Sequence, residues 1–337
     1  MCTIFVLFQL VKEFPIVISE NRDATLRKYT EMAKVNPSAL ADRPPKIFYP
    51  VTPCGTGSAK EVPFIAPFDV TNVTWMGINQ HRVVIALSTG YAPGEDSHSE
   101  RLEHSRGQLA VDVLHNDASA KEAVQHVKRA LETGEYKSVN FLIADPEGAW
   151  ILHFWGGPVE MKGLSPGMHV FGNYYFPHLL QENEGNKAMA WLKNDTRNRV
   201  NRASRLWAQI PQFQHPPFSK LNTLPGIRTL ITDHKGDPSR EMSICRHAPI
   251  EDPDGRRTLS NTTIFVHNTD LDKSDIYYNP GNPCEHKWKC YSHLFEEKNF
   301  EAVYADPSVD DSTPETRDNN VGKEGRKPFF GKFPFDK

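Results

Sequence analysis

A thiol stands at position 2 of this chain, directly behind the first methionine, and an amide, a guanidinium and a carboxylate follow together at Asn21, Arg22 and Asp23. If Met1 is removed, which a small second residue permits, Cys2 carries both a nucleophilic thiol and an α-amine whose ordinary pKa is about 8. One residue then supplies nucleophile and base, the pairing that acyl transfer needs. Asp23 and Asn21 would orient that residue, and the Arg22 cation would favour its thiolate. The plain alternative is a cysteine acting as a small hydrophobe in an apolar strand. What lifts Cys2 above that reading is the Asn-Arg-Asp run.

The elements that must bring these groups together are strands. Cys2 to Leu10 and Pro15 to Ser19 are rich in β-branched and aromatic residues and stand four residues apart, which predicts a hairpin. Placing Leu10 opposite Pro15 and counting back along both strands sets Cys2 opposite Asp23. With Arg22 beside it, Cys2 is expected to alkylate ahead of Cys54, Cys245, Cys284 and Cys290.

Met1-Cys2 followed by Pro15-Ile16-Val17-Ile18-Ser19-Glu20-Asn21-Arg22-Asp23 resembles the opening of the NRDE family, the transport-and-Golgi-organisation type, within the N-terminal nucleophile hydrolases. Ala24 stands where that signature ends in Glu. Trp75-Met76-Gly77-Ile78-Asn79 resembles a second part of the pattern. Bile-salt hydrolases and the related dipeptidases are similar, with Arg-Asn-x-Asp at this place. Aligned on Asp23, Asn21 keeps its position, Glu20 stands where their Arg would be, and Arg22 is shifted by two.

The resemblance implies an α+β fold, a four-layer αββα sandwich of two antiparallel sheets. It implies a cysteine-dependent amide hydrolase or acyltransferase that acts on a small acyl amide or N-acyl amino acid through a Cys2 thioester, with no cofactor. Because the NRDE family is associated with haem or lipid trafficking, the resemblance also carries an alternative, a non-catalytic haem- or lipid-binding or trafficking protein on the same fold. After Leu87, related amidases place an oxyanion-binding asparagine. Here Ser88 or Thr89 would offer a hydroxyl and Gly90 a backbone N–H. Asn173 matches the asparagine whose amide donates to the oxyanion. Arg199-Val200-Asn201-Arg202-Ala203-Ser204 resembles the Arg-x-x-Arg-Ala segment of bile-salt hydrolases, whose second arginine lies in the active site, so Arg202 joins Arg22 as a candidate for the site's positive charge. Further on, Leu230 to His234, Ser243 to His247, Thr262 to Val266 and Gly281 to Cys284 resemble, in that order, the isopenicillin acyltransferase-like family. Unlike that family, the chain has no evident propeptide, so no self-cleavage is expected.

Around these residues, the pattern predicts hairpins at 73–87 and 139–154, a strand over Met168 to Asn173 continuing the same sheet, and helices over 106–114, 120–131 and 187–210. The second of these helices opens on a capping box, Ser119-Ala120-Lys121-Glu122. On the third, Val200, Ala203, Trp207 and Ile210 share a face. Residues 24–68, punctuated by prolines, read as one long loop over the site. Residues 1–304 are expected to form one domain, and 305–337, poor in apolar residues, a disordered tail.

A net charge of −3 and a pI of about 6.5 give no footprint for nucleic acid. No run approaches the ~20 apolar residues of a membrane span. Five cysteines, an odd number without CxxC spacing, argue against a disulfide framework and for a reducing, cytoplasmic setting. The sequons at Asn72, Asn194 and Asn261 are then chance matches. Cys284, His286, Cys290 and His293 offer four zinc-type ligands, but their spacing matches no finger, and no metal is expected.

Overall fold

The computed structural model describes residues 2–25, 42–49, 62–69, 71–90, 104–173, 187–234, 243–248 and 255–296. The expected tail, 305–337, lies outside the described residues.

The first hairpin forms as β1 (Thr3–Val11) and β2 (Phe14–Thr25). Its loop is only Lys12-Glu13, with Glu13 at φ +66°. At the turn the pairing is Val11 with Phe14, the register that the sequence count gives. Between Phe8 and Val11, however, the register shifts, with Gln9 at φ +54°, so that Thr3 faces Asn21. Extending the pairing sets Cys2 opposite Arg22, not Asp23. A bulge adds one residue to one strand, and a one-residue slip exchanges the faces of every side chain beyond it. Cys2 therefore shares a face with Glu20 and Arg22, while Thr3, Asn21 and Asp23 take the opposite face.

A seven-stranded antiparallel sheet follows in chain order: β3 (Arg43–Phe48), β4 (Phe64–Phe68), β5 (Met76–Asn79), β6 (Val84–Thr89), β7 (Val139–Asp145), β8 (Gly148–Phe154) and β9 (Glu160–Gly163). The stretch 24–68 is thus not one loop. Pro44 and Pro45 hid β3, an edge strand where a missing N–H costs no ladder bond, and the register shifts between Arg43 and Lys46 to admit them.

β10 (Gly167–Phe171) leaves this sheet and pairs with β1. It does not continue the 139–154 hairpin as the sequence pattern suggested. With β11 (Arg256–Val266), β12 (Asp275–Pro280) and β13 (Lys289–Cys290) it completes a six-stranded sheet in the order β10-β1-β2-β11-β12-β13.

Strand alternation gives each sheet two apolar faces. Ile4, Val6, Ile18 and Ile264 of the six-stranded sheet meet Met76, Val84, Leu142 and Ile151 of the other. Helices α1 (Arg106–Asn116) and α2 (Ala120–Leu131) cover the outer face of the seven-stranded sheet through Val113, Val124 and Val127. The Ser119 hydroxyl caps α2 by accepting from the Glu122 N–H, while Glu122 accepts from the Ala118 N–H. Helices α3 (Lys187–Gln209) and α4 (Lys220–Ile231) cover the other outer face, with Ala203, Leu206, Ile227 and Leu230 against Phe5, Leu7 and Phe265. The expected αββα sandwich is present. α4 escaped sequence reading because Pro225 interrupts it. No helix among the described residues is long and apolar enough to cross a membrane.

Candidate active site

On the inter-sheet face, Cys2 is 8% exposed. Glu20 is fully buried, with the Cys2 thiol beside its carboxyl. Burial pushes the Glu20 carboxyl well above its ordinary range, and the neighbouring thiol only partly offsets this. In turn, burial and the Glu20 charge push the Cys2 thiol up to about 12. Arg22 lies on the same face, where its charge acts on Glu20. Its guanidinium pairs with Asp42, lies 3.8 Å from Asp69 and stacks 4.1 Å from the Trp75 ring.

On the helix-facing side, four charged groups close around the same end of β1. The Arg199 Nη1 donates to the Cys2 carbonyl at 2.9 Å and to the Thr3 hydroxyl, and Nη2 donates to Asp195 at 2.9 Å. The Arg246 Nε lies 3.0 Å from Asp23 Oδ2, and its Nη2 donates to Asp195. Arg199 reaches Asp23 at 3.8 Å, and Thr258 donates its hydroxyl to Asp23 at 2.8 Å. All four charges are buried and compensate one another. Burial raises the Asp195 carboxyl, but Arg199 and Arg246 more than offset it and leave it below the usual range. For Asp23 burial prevails over Arg246 and Arg199, and its carboxyl stays above the usual range.

Of the two arginines on α3 that the resemblance covers, Arg199 lies at the Cys2 end of β1 and Arg202, the candidate, lies elsewhere. Arg202 forms a bidentate pair with Asp233 at 2.9 and 2.8 Å, on a side chain 29% exposed. Arg199 is the residue that touches Cys2. The i,i+4 spacing of Asp195 and Arg199 was available as a signal. Arg246 and Glu20 carried none, since a lone Arg between Cys and His and a Glu in a strand are ordinary surface patterns. Asn21 is a brace: its amide donates to the Ile231 and Ile244 carbonyls at 2.9 and 3.0 Å and accepts from Asn261 at 2.9 Å.

The expected oxyanion residues meet where β6 approaches the end of β10. The Asn173 amide donates to the Thr89 carbonyl at 2.5 Å, and its Oδ1 accepts from Arg199 at 3.5 Å. Ser88 is committed elsewhere, donating to the Gly172 carbonyl at 2.6 Å and accepting from the Asn140 amide at 3.1 Å. The Gly90 N–H goes to the Ser138 carbonyl at 2.9 Å. A Cβ on Gly90 would lie 2.8 Å from the Val139 nitrogen, so the glycine serves the approach to β7. Asn140, missed in the sequence, also donates to the Asn173 carbonyl at 2.9 Å and has His153 Nδ1 2.5 Å from its Oδ1. A surface hollow of about 690 Å³ is lined by Gln80, His81, Asp270 and Phe295, none of which belongs to this cluster.

Of the four residues considered as zinc ligands, Cys284 alone joins a group able to hold a metal among the described residues, and its companions there are His234 and His247 rather than His286, Cys290 or His293.

Comparison with known proteins places these observations in a family. No curated protein sequence matches the chain. Among solved structures, an arginine-to-leucine variant of the conjugated bile acid hydrolase from Clostridium perfringens superimposes with a TM-score of 0.51 at 12% identity, covering 86% of this chain and 96% of that one. A cysteine-to-alanine mutant of the same hydrolase gives a TM-score of 0.50 at 12% identity, with the same coverage. A penicillin V acylase from Agrobacterium tumefaciens gives 0.49 at 16% identity, covering 88% and 89%. The fold is that of the N-terminal nucleophile hydrolases. The family model for Transport and Golgi organisation 2 matches residues 1–223, more than half of the sequence, and the chain therefore belongs to that family.

Proposed function

We propose that the protein is a cysteine-dependent amide hydrolase or acyltransferase whose nucleophile is Cys2, acting once cleavage makes Cys2 the first residue. The observation that carries this reading is the buried ring of Arg199, Asp195, Arg246 and Asp23, which grips the backbone carbonyl of Cys2 through Arg199. A core thiol in a first strand needs no such grip. An N-terminal nucleophile does, because its own backbone nitrogen is the base and must be held as firmly as its sulfur.

In the proposed reaction the free α-amine takes the thiol proton, and sulfur attacks the carbonyl carbon of a small acyl amide. Asn173, whose amide carries a second N–H beyond the one given to Thr89, would donate to the resulting oxyanion together with a backbone N–H near Thr89. Collapse breaks the C–N bond, and the ammonium returns its proton to the leaving amine. The thioester then passes its acyl group to water or to an acceptor amine. Glu20, held toward its protonated form beside the sulfur, limits the negative charge that the thiolate would face. Asp23 stabilises the α-ammonium, and Arg22 acts through Asp42 in fixing the strand end. The conjugated bile acid hydrolase lends analogy of fold to an acyl amide substrate, an N-acyl amino acid included.

One observation favours the second reading, a binding protein for haem or a lipid. With Met1 in place, a thiol at about 12 has almost no thiolate at neutral pH. Intact-mass analysis combined with an N-acyl amino acid panel separates the two. The enzyme reading expects mature protein beginning at Cys2, turnover of at least one acyl amide, and loss of that turnover by orders of magnitude in Cys2→Ser. Saturable haem or lipid binding with no turnover in protein that begins at Cys2 would establish the alternative.

A further inference from the structure

The segment 243–248 carries more than Arg246. While Arg246 reaches Asp23 and Asp195, its sequence neighbours Cys245 and His247 meet Cys284. Cys245 Sγ is 3.4 Å from His247 Nε2 and 3.5 Å from Cys284 Sγ, and His247 Nε2 is 3.0 Å from Cys284 Sγ. His234, just beyond α4, completes the group, with donor atoms of His234, His247 and Cys284 all within 4.8 Å of one another. A tetrahedral ion with Zn–S of about 2.3 Å and Zn–N of about 2.0 Å spaces its donor atoms roughly 3.3–3.8 Å apart. Cys245, His247 and Cys284, at 3.0–3.5 Å from one another, stand near that spacing, and His234 approaches His247 and Cys284 from within 4.8 Å.

The surroundings have the organisation of a metal site. The Glu285 carboxylate lies 3.2 Å from His247 Nδ1, a contact that leaves Nε2 as the ligand atom and orients the ring. Arg257 sits 3.6 Å from the same carboxylate and donates to Asn282 at 2.9 Å. The Asn282 amide points at Cys245 Sγ from 3.8 Å and donates to the Arg246 carbonyl at 2.5 Å. An N–H aimed at sulfur supports a thiolate.

We infer that His234, Cys245, His247 and Cys284 bind one divalent transition-metal ion, zinc by donor chemistry, in a closed structural site. Two thiolates and two imidazoles suit zinc. Four protein ligands leave no open position for a substrate. Binding displaces the two thiol protons to solvent, so affinity rises with pH. The ligands come from the end of α4, from 243–248 and from the turn after β12, so the ion ties these three pieces together behind Arg246. Two thiols 3.5 Å apart are also candidates for a disulfide, and this is the competing outcome.

The test uses the full chain, purified under reductant and titrated with Co²⁺ in place of zinc. Binding of one equivalent, with a thiolate-to-cobalt charge-transfer band and the visible bands of tetrahedral cobalt, is expected, and one equivalent of Zn²⁺ should abolish both. Cys284→Ser and His247→Ala should weaken cobalt binding by at least tenfold, while Cys290→Ser and His293→Ala leave it unchanged. The wild-type spectrum is decisive even if a variant misfolds. Absence of the charge-transfer band in reduced wild-type protein overturns the proposal, as does a band lost in Cys290→Ser but retained in Cys284→Ser. A Cys245–Cys284 disulfide that resists reductant and excludes cobalt overturns it equally.

Discussion

Arg199 donates to the carbonyl of Cys2 at 2.9 Å, joining the middle of α3 to the first turn of chain before β1. The same guanidinium serves Asp195 and faces Asp23, so the first strand is positioned by charge rather than by apolar contact alone. Removing one partner of a fully buried, compensated set leaves the others uncompensated. Arg199→Ala is therefore expected to cost about 3–5 kcal/mol, measured by urea denaturation. Arg202→Ala, which breaks a partly exposed pair, should cost about 1 kcal/mol or less. Equal costs for the two substitutions would contradict the buried ring as the anchor of Cys2.

Gly172 lies beneath this contact. A Cβ there would stand 3.2 Å from the Cys2 carbonyl oxygen and 3.3 Å from Arg199 Nη2, both held in place by their own bond. Gly172→Ala is expected to destabilise by about 1–3 kcal/mol, the range for overpacking a tight site. Gly157→Ala, whose new atom meets only the Trp155 indole nitrogen at 3.8 Å, should stay within about 0.5 kcal/mol of wild type. Thermal melts of the two variants beside wild type test this directly.

The reactivity of the cysteines reverses the order that the sequence suggests. Cys2 is 8% exposed with its thiol at about 12, whereas Cys290 is exposed. In protein retaining Met1, iodoacetamide at neutral pH should therefore label Cys290 first and Cys2 and Cys245 last among the four described cysteines, Cys54 lying outside the described residues, read by peptide mapping. Cys2 labelling ahead of Cys290 in that form would mean that the inter-sheet face opens in solution.

Why the sequence was legible in some places and not in others has physical causes. Hairpins such as β7 and β8, and the capped α2, announced themselves because local propensity and burial agree there. The register of β1 on β2 was read correctly at the turn and lost one residue later, since Gln9, the residue at positive φ in the bulge, is neither Gly nor Asn. That single slip put Arg22 rather than Asp23 opposite Cys2 and Glu20 on its face, while the backbone N–H of Asp23 still reaches the thiol. Asp195 and Arg246 come to the site from distant parts of the chain, and only their packing on β2 gives them a shared purpose.

Glu20 offers the most direct handle on the thiol. Its carboxyl is pushed well above its ordinary range by burial, so it binds its proton more tightly in the folded chain than in the unfolded one. Such a group contributes stability that is fully present below its unfolded pKa of about 4.3 and is lost as pH rises through its folded pKa. Glu20→Gln cannot ionise and escapes that loss. The stability of the variant relative to wild type should consequently grow as pH is raised from about 4 through the folded pKa of Glu20. The same substitution removes a negative charge that opposes ionisation of Cys2, so the thiol should titrate below about 12, moving toward its ordinary range. The pH dependence of Cys2 alkylation in wild type and Glu20→Gln, with Met1 retained in both, measures this shift. An unchanged midpoint would show that burial alone sets the thiol and that Glu20 does not face it.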